Sequence, residues 1–234
     1  MHEVITKVRE AAPVLTEESV PSDALGRLTD RSATALRSTG VVRLYQPKEF
    51  SGYEAHPVEF MKSYLARMKA APYMAPAPAE EAPVVLGSFL PQMVRLAAEE
   101  TAGVLTYFTP PEKTAQVREV IGPRKWLCAE QAVLLEPDPM RARAAARQYM
   151  ALYLANPHYA KLLGPLGFSD ADFAAGGSDR LVDAIVAWGT VATLRARIAA
   201  HVAAGATHVC VLPLRVDGSR APDEGVLEAL APAA

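Results

Sequence analysis

The sequence has little cysteine: two residues in 234, Cys128 and Cys210, far apart in the chain. That excludes a disulfide framework and points to a reducing, cytoplasmic home. It lacks a charge excess, with 24 Lys+Arg against 26 Asp+Glu and a net charge of −2. Without a basic field, nucleic acid and anionic membrane surfaces are not expected partners. It lacks a clean apolar run of membrane-spanning length, since the most apolar late stretch, 181–206, carries Asp183, Arg195, Arg197 and His201. The opening MHEVITKVRE places charges where a signal peptide needs apolar residues. The five histidines (His2, His56, His158, His201, His208) do not cluster at ligand spacing, which argues against a metal site. There is no G-x-G-x-x-G, no P-loop, no H-E-x-x-H, no C-x-x-C and no G-x-S-x-G. These absences shift the expectation toward cofactor chemistry carried by backbone contacts.

What is present suffices for a core: half the residues are hydrophobic and 21% are charged. The length predicts one domain, or one with an appendage. Residues 1–60 read as helices. Val4, Ile5, Val8, Ala11, Ala12 and Leu15 recur at helical spacing, and Asp30 is a candidate N-cap for a helix that Gly40 closes. A Pro/Gly-bearing loop, VVRLYQPKEFSGY, follows. Phe60, Tyr64, Leu65 and Met68 mark another helix, and PYMAPAPAEEAP reads as a linker.

From Val84 the texture changes. VVLGSF, VLTYF, WLCAEQAVLLE and HVCVLPL read as four strands, separated by helices. Ser178 caps a helix expected to run through Trp188, and another spans Thr190 to Ala204, closed by Gly205. Apolar strands without alternation, each followed by a helix, predict an α/β fold with a parallel sheet.

Four constellations could carry chemistry. Gly87-Ser88-Phe89 ends a strand just before a helix, where ligands sit in parallel α/β folds; an ordinary strand-to-helix turn is the alternative. Tyr107-Phe108-Thr109-Pro110-Pro111 ends the next strand, and Thr109 could bond a phosphate or ribityl hydroxyl, or simply cap a helix. Glu130 and Gln131 lie mid-strand on opposite faces, so one of them needs a partner or a wet cavity; a salt bridge competes with a pocket-lining role. Gly176-Gly177-Ser178-Asp179-Arg180 could cradle an anion, with a plain capped helix start the stronger reading. Arg141, Arg143 and Arg147 read as a solvated face, and His201 and His208 as packing or helix-end groups.

The order of segments resembles a known family. VLGSFLPQMVRLAAEETAGVLTYFTPPEKT, AEQAVLLEPDPMRARAAARQYMALYLANPHY, LLGPLGFSDADFAAGGSDRLVDAIVAWG and RIAAHVAAGATHVCVL are similar to the C-terminal half of luciferase-like (LLM class) oxidoreductases that use coenzyme F-420. The resemblance runs from about Tyr64 to Leu214. It implies a half TIM barrel of four parallel βα units over 84–216, and hydride transfer between reduced deazaflavin and a small organic substrate. It also implies cofactor contacts at Gly87, Ser88, Phe89 and Thr109, with FMN or FAD as alternatives. Residues 1–59, carried by LRSTGVVRLYQPKEFSGY, resemble the N-terminal helical arm of acyl-CoA dehydrogenase-like flavin monooxygenases. Residues 60–83 then form a helix and Pro-rich linker, and 217–234 a flexible tail. Read as a gene fusion across residues 58–64, the chain would be impaired, or an inactive scaffold. Its open sheet edges would pair in a homodimer or a larger self-association.

Overall fold

A computed structural model describes residues 2–41, 56–71, 78–219 and 221–231. Residues 42–55 and 72–77, on which most of the expected Pro/Gly-bearing loop and the first half of the expected linker fall, lie outside the described residues. Two compact units divide at Ala75/Pro76. The first holds α1 (His2–Glu17), α2 (Ser19–Leu25), α3 (Asp30–Thr39) and α4 (Pro57–Lys69). Thr29, rather than Asp30, caps α3: its hydroxyl accepts from Ser32 N at 3.1 Å. Gly40 closes that helix at φ 77°, a left-handed conformation open to glycine. The helix α4, whose residues from Tyr64 on fall within the luciferase-like resemblance, groups with this first unit.

The second unit is a mixed α/β fold built on a parallel sheet of five strands. Its elements are β1 (Val85–Gly87), α5 (Pro91–Glu100), β2 (Gly103–Thr106), α6 (Pro111–Ile121), β3 (Trp126–Leu134), α7 (Pro139–Leu154), α8 (Pro157–Leu163), α9 (Asp170–Phe173), α10 (Asp179–Ile185), β4 (Val186–Trp188), α11 (Val191–Ala203), β5 (His208–Pro213) and α12 (Glu224–Leu230). Two expectations are corrected. The sheet has a fifth strand, β4, where a helix was expected to continue through Trp188; α10 stops at Ile185. The expected flexible tail contains α12, whose Val226 is fully buried against Val133, Ala187 and Leu194.

The strand β3 is the hub. Its even residues bond one edge: Trp126 N donates to Ala102 O, and Leu134 O accepts from Gly189 N. Its odd residues bond the other: Leu127 O accepts from Thr207 N, and Val133 O from Leu214 N. So β2 and then β4 share one edge of β3, and β5 runs along the other. Gly103 makes the β2 register possible. A Cβ there would meet the Trp126 carbonyl oxygen at 2.1 Å.

Strand side chains alternate faces. Leu127 joins the core under α5 and α6, and Val133 the core under α11 and α12. On the opposite face, Ala132 and Leu134 are covered by α7, α8 and α10. Further back on that face the cover ends: Trp126 and His208, with rings 5.1 Å apart, and Cys210 are exposed. No helix among the described residues is long and apolar enough to cross a membrane.

Candidate functional site

The strand-end loops of β1 and β2 meet α7 and α8 in an aromatic cluster. Phe89 lies 5.4 Å from Tyr107, 5.6 Å from His158 and 6.1 Å from Tyr159. Phe108 stacks on Tyr153 at 4.3 Å and 15°. Tyr149 and Tyr153, four apart on α7, share one helical face. Phe108 has φ 54°, left-handed for a residue with a Cβ; such strain persists only where surroundings enforce it. Here the stacking on Tyr153 holds the ring, and the turn sends Thr109 inward.

The four residues expected at a cofactor separate in character. Gly87 is exposed, and a Cβ there would meet nothing within 4 Å. The Ser88 hydroxyl accepts from Leu90 N at 3.3 Å, shaping the entry to α5. The Phe89 ring is buried, 4% exposed, and is committed to the core. The Thr109 hydroxyl is buried without a hydrogen-bond partner among the described residues.

Glu130 stands where the covered half of its sheet face meets the open half. One of its carboxylate oxygens is buried and unpartnered among the described residues, as is the Tyr149 hydroxyl. Burial pushes the Glu130 carboxyl up and, with the neighbouring Tyr153 and Tyr107 hydroxyls, holds the Tyr149 and Tyr159 hydroxyls in their protonated form. The salt bridge weighed for Glu130 does not form among the described residues. An acceptor and a donor that are both desolvated and lack a well-formed hydrogen bond among the described residues could hold a polar group of a ligand. Tyr149, Tyr153 and Tyr159 were missed in the sequence; the i, i+4 tyrosine pair was the available signal.

Gln131, on the other face, is structural. Its Nε2 donates to Ala132 O at 2.7 Å and Ile185 O at 2.9 Å, so its Oε1 is the acceptor for His201 Nε2–H at 2.9 Å. The His201 Nδ1 therefore accepts from Thr114 Oγ1, also at 2.9 Å. All three residues are buried, and burial with the nearby charge of Arg197 lowers the His201 pKa to about 4.

The glycine-rich segment 176–180 is a capped helix start. Ser178 accepts from Leu181 N at 3.2 Å, and Arg180 is committed to Asp172 at 2.6 Å and to the Phe168 ring at 4.4 Å. Arg143 and Arg147 are not a solvated face. Arg143 pairs with Asp183 at 2.6 Å and Asp179 at 3.0 Å, and Arg147 with Asp179 at 2.5 Å and Gly177 O at 2.8 Å, joining α7 to α10. No group of three or more His, Cys, Asp or Glu among the described residues could hold a metal ion.

A family model described as luciferase-like monooxygenase matches residues 53–208. The chain is 33% identical over 64 residues to a pigment production hydroxylase of Rhodococcus erythropolis, a stretch covering 27% of this chain and 16% of that protein. It is 44% identical over 48 residues to the oxygenase subunit HsaA of a flavin-dependent monooxygenase from Rhodococcus jostii (strain RHA1), covering 20% of this chain and 13% of the other. The chain thus spans a small part of the curated relatives it matches. Among solved structures, a coenzyme F-420-dependent tetrahydromethanopterin reductase from Methanopyrus kandleri aligns at 20% identity and TM-score 0.49, over 63% of this chain and 48% of that one. An F-420-dependent secondary alcohol dehydrogenase aligns at 14% identity and TM-score 0.45, over 66% and 51%.

Proposed function

The chain belongs to the luciferase-like monooxygenase family, and from that premise we propose that it is an oxidoreductase working with a flavin or deazaflavin. The finer reading is hydride transfer between reduced coenzyme F-420 and a small organic substrate, on a half barrel built from the second unit. One observation in the fold supports a bound group most directly. Thr109, three residues past the end of β2, and Glu130 of the adjacent β3 keep buried oxygens without partners among the described residues, and Gly87, at the end of β1 beside β2, has nothing within 4 Å of where a Cβ would stand. When bound, the cofactor supplies the hydride chemistry. The residues of the chain do the rest. Thr109 offers a hydroxyl to a polar edge of the cofactor, and Gly87 leaves room for its approach. Glu130, whose carboxyl is pushed up by burial, and Tyr149, whose hydroxyl stays protonated, are the acid-base pair on the substrate side.

The test is a fluorescence titration with coenzyme F-420, with FMN and FAD in parallel. Saturable binding of F-420 that weakens in Thr109→Val is expected. Binding of none of the three overturns the reading. Binding of FAD alone favours the second reading, an acyl-CoA dehydrogenase-like FAD monooxygenase. That reading is suggested by the short matches to a hydroxylase and a flavin-dependent monooxygenase and by the resemblance of residues 1–59. The exposed Trp126, His208 and Cys210 on the open sheet face support a homodimer closing that face, which light scattering would register as a doubled mass.

A further inference from the structure

A cleft of about 490 Å³ lies between α7 and the segment that follows β5. Leu152 and Tyr149 of α7 form one wall, and Leu212, Leu214 and Arg215 the other. Two features distinguish it from a packing defect. The Tyr149 hydroxyl is buried and, with the Tyr153 hydroxyl as a neighbour, makes no hydrogen bond of normal length and angle among the described residues. A desolvated hydroxyl without a partner forfeits free energy that a ligand acceptor restores. The second feature is the state of Arg215. Only its Nε is engaged, reaching Asp217 Oδ2 at 3.4 Å, while Asp217 is itself held by Ser219 N at 2.9 Å. That exposed pair, two residues apart, contributes little by itself. It orients the guanidinium and leaves both Nη nitrogens unbonded among the described residues. Among the described residues of the lining, apolar walls, one oriented cation and one buried donor with no acidic residue define a class of ligand.

We propose that this cleft binds a small apolar carboxylic acid, its body against Leu152, Leu212 and Leu214, its carboxylate on Arg215, and an oxygen on the Tyr149 hydroxyl. As a substrate site it rests on the oxidoreductase reading above; as a binding site it needs no cofactor. Leu212 lies on the sheet face that carries Glu130, two residues beyond the Cys210–Glu130 pairing. An acid bound here therefore lies toward the proposed acid-base pair.

The test is calorimetry on the full chain, without cofactor, using an isosteric series: 3-phenylpropanoate, 3-phenylpropan-1-ol and 3-phenylpropylamine. The acid is expected to bind at least about tenfold more tightly than the other two, as a charge-assisted bond to Arg requires. Arg215→Gln should abolish that preference, and Tyr149→Phe should weaken the acid several-fold. Rising salt should weaken the acid and leave the alcohol unchanged, a readout that needs no variant. Equal binding of acid and alcohol, no binding of any probe, or an acid affinity indifferent to salt overturns the proposal. Cofactor binding without acid binding would sink this proposal alone; acid binding without cofactor binding would sink the oxidoreductase reading alone.

Discussion

His201 should make the second unit acid-sensitive well above the usual carboxylate range. Its Nε2–H donates to Gln131 and its Nδ1 accepts from Thr114, an arrangement that needs the neutral ring. Protonation would place a charge in a fully buried site beside Arg197. The folded pKa is about 4, against about 6.5 in the unfolded chain. The folded state therefore binds fewer protons between those values. The stabilisation is complete above the unfolded pKa and is lost as pH falls from about 6.5 toward about 4. Integrated from pH 7.5 to 5, the linkage amounts to about 2 kcal/mol. Both tryptophans of the chain, Trp126 and Trp188, lie in the second unit, so urea unfolding followed by tryptophan fluorescence reports that unit alone. His201→Gln removes the titration at similar polarity. The wild type should lose about 2 kcal/mol more than this variant between pH 7.5 and 5. Equal losses in the two proteins would refute the reasoning, whatever their absolute stabilities, because the carboxylates titrate in both.

Gly103→Ala should cost about 3 kcal/mol, read as a lower urea midpoint, because the added carbon meets a backbone carbonyl that cannot rotate away; a neutral result would mean that β2 and β3 part easily. Glu130→Leu should be more stable than the wild type at pH 7.5, with the gap closing as pH falls toward the ordinary glutamate range. Burial raises the folded pKa, so the ionised form is the penalised one; a gap that widens in acid would reverse the assignment. Val226→Ala should cost about 2 kcal/mol of second-unit stability, and no effect on the urea midpoint would restore the expectation of a loose tail.

Much of the second unit was legible because its signals are local. The prolines at the starts of α5, α6, α7 and α8 sit at the first helical position. Asp138, Ser178 and Thr190 each accept a backbone N–H as caps. The apolar runs of β2, β3 and β5 have the texture of buried parallel strands. The sequence misled where structure depends on distant pairing. LVDAIVAW reads as one apolar stretch, and its last three residues become β4 only because Ala132, Val133 and Leu134 offer a free edge of β3 beyond the end of β2. The short α12 would not hold as an isolated helix; it forms because Val226 finds a slot beside Leu194.

The candidate site divides along the same line. Thr109 and Glu130 could be singled out because a polar residue at a strand end or inside an apolar strand is locally anomalous. Gln131 is just as anomalous, and the two neighbours meet opposite fates. Gln131 faces α11, where His201 and two carbonyls satisfy its amide. Glu130 faces the tyrosines of α7 and α8, where one oxygen bonds nothing among the described residues. No property of the dipeptide separates them. The helix that each face meets does so, and those helices are set by strand order, which a local pattern does not encode. A mid-strand polar pair in a parallel sheet is thus a pointer to a site only once the packing of both faces is known. Here the proposed site rests on the unsatisfied member rather than on the buried network beside it.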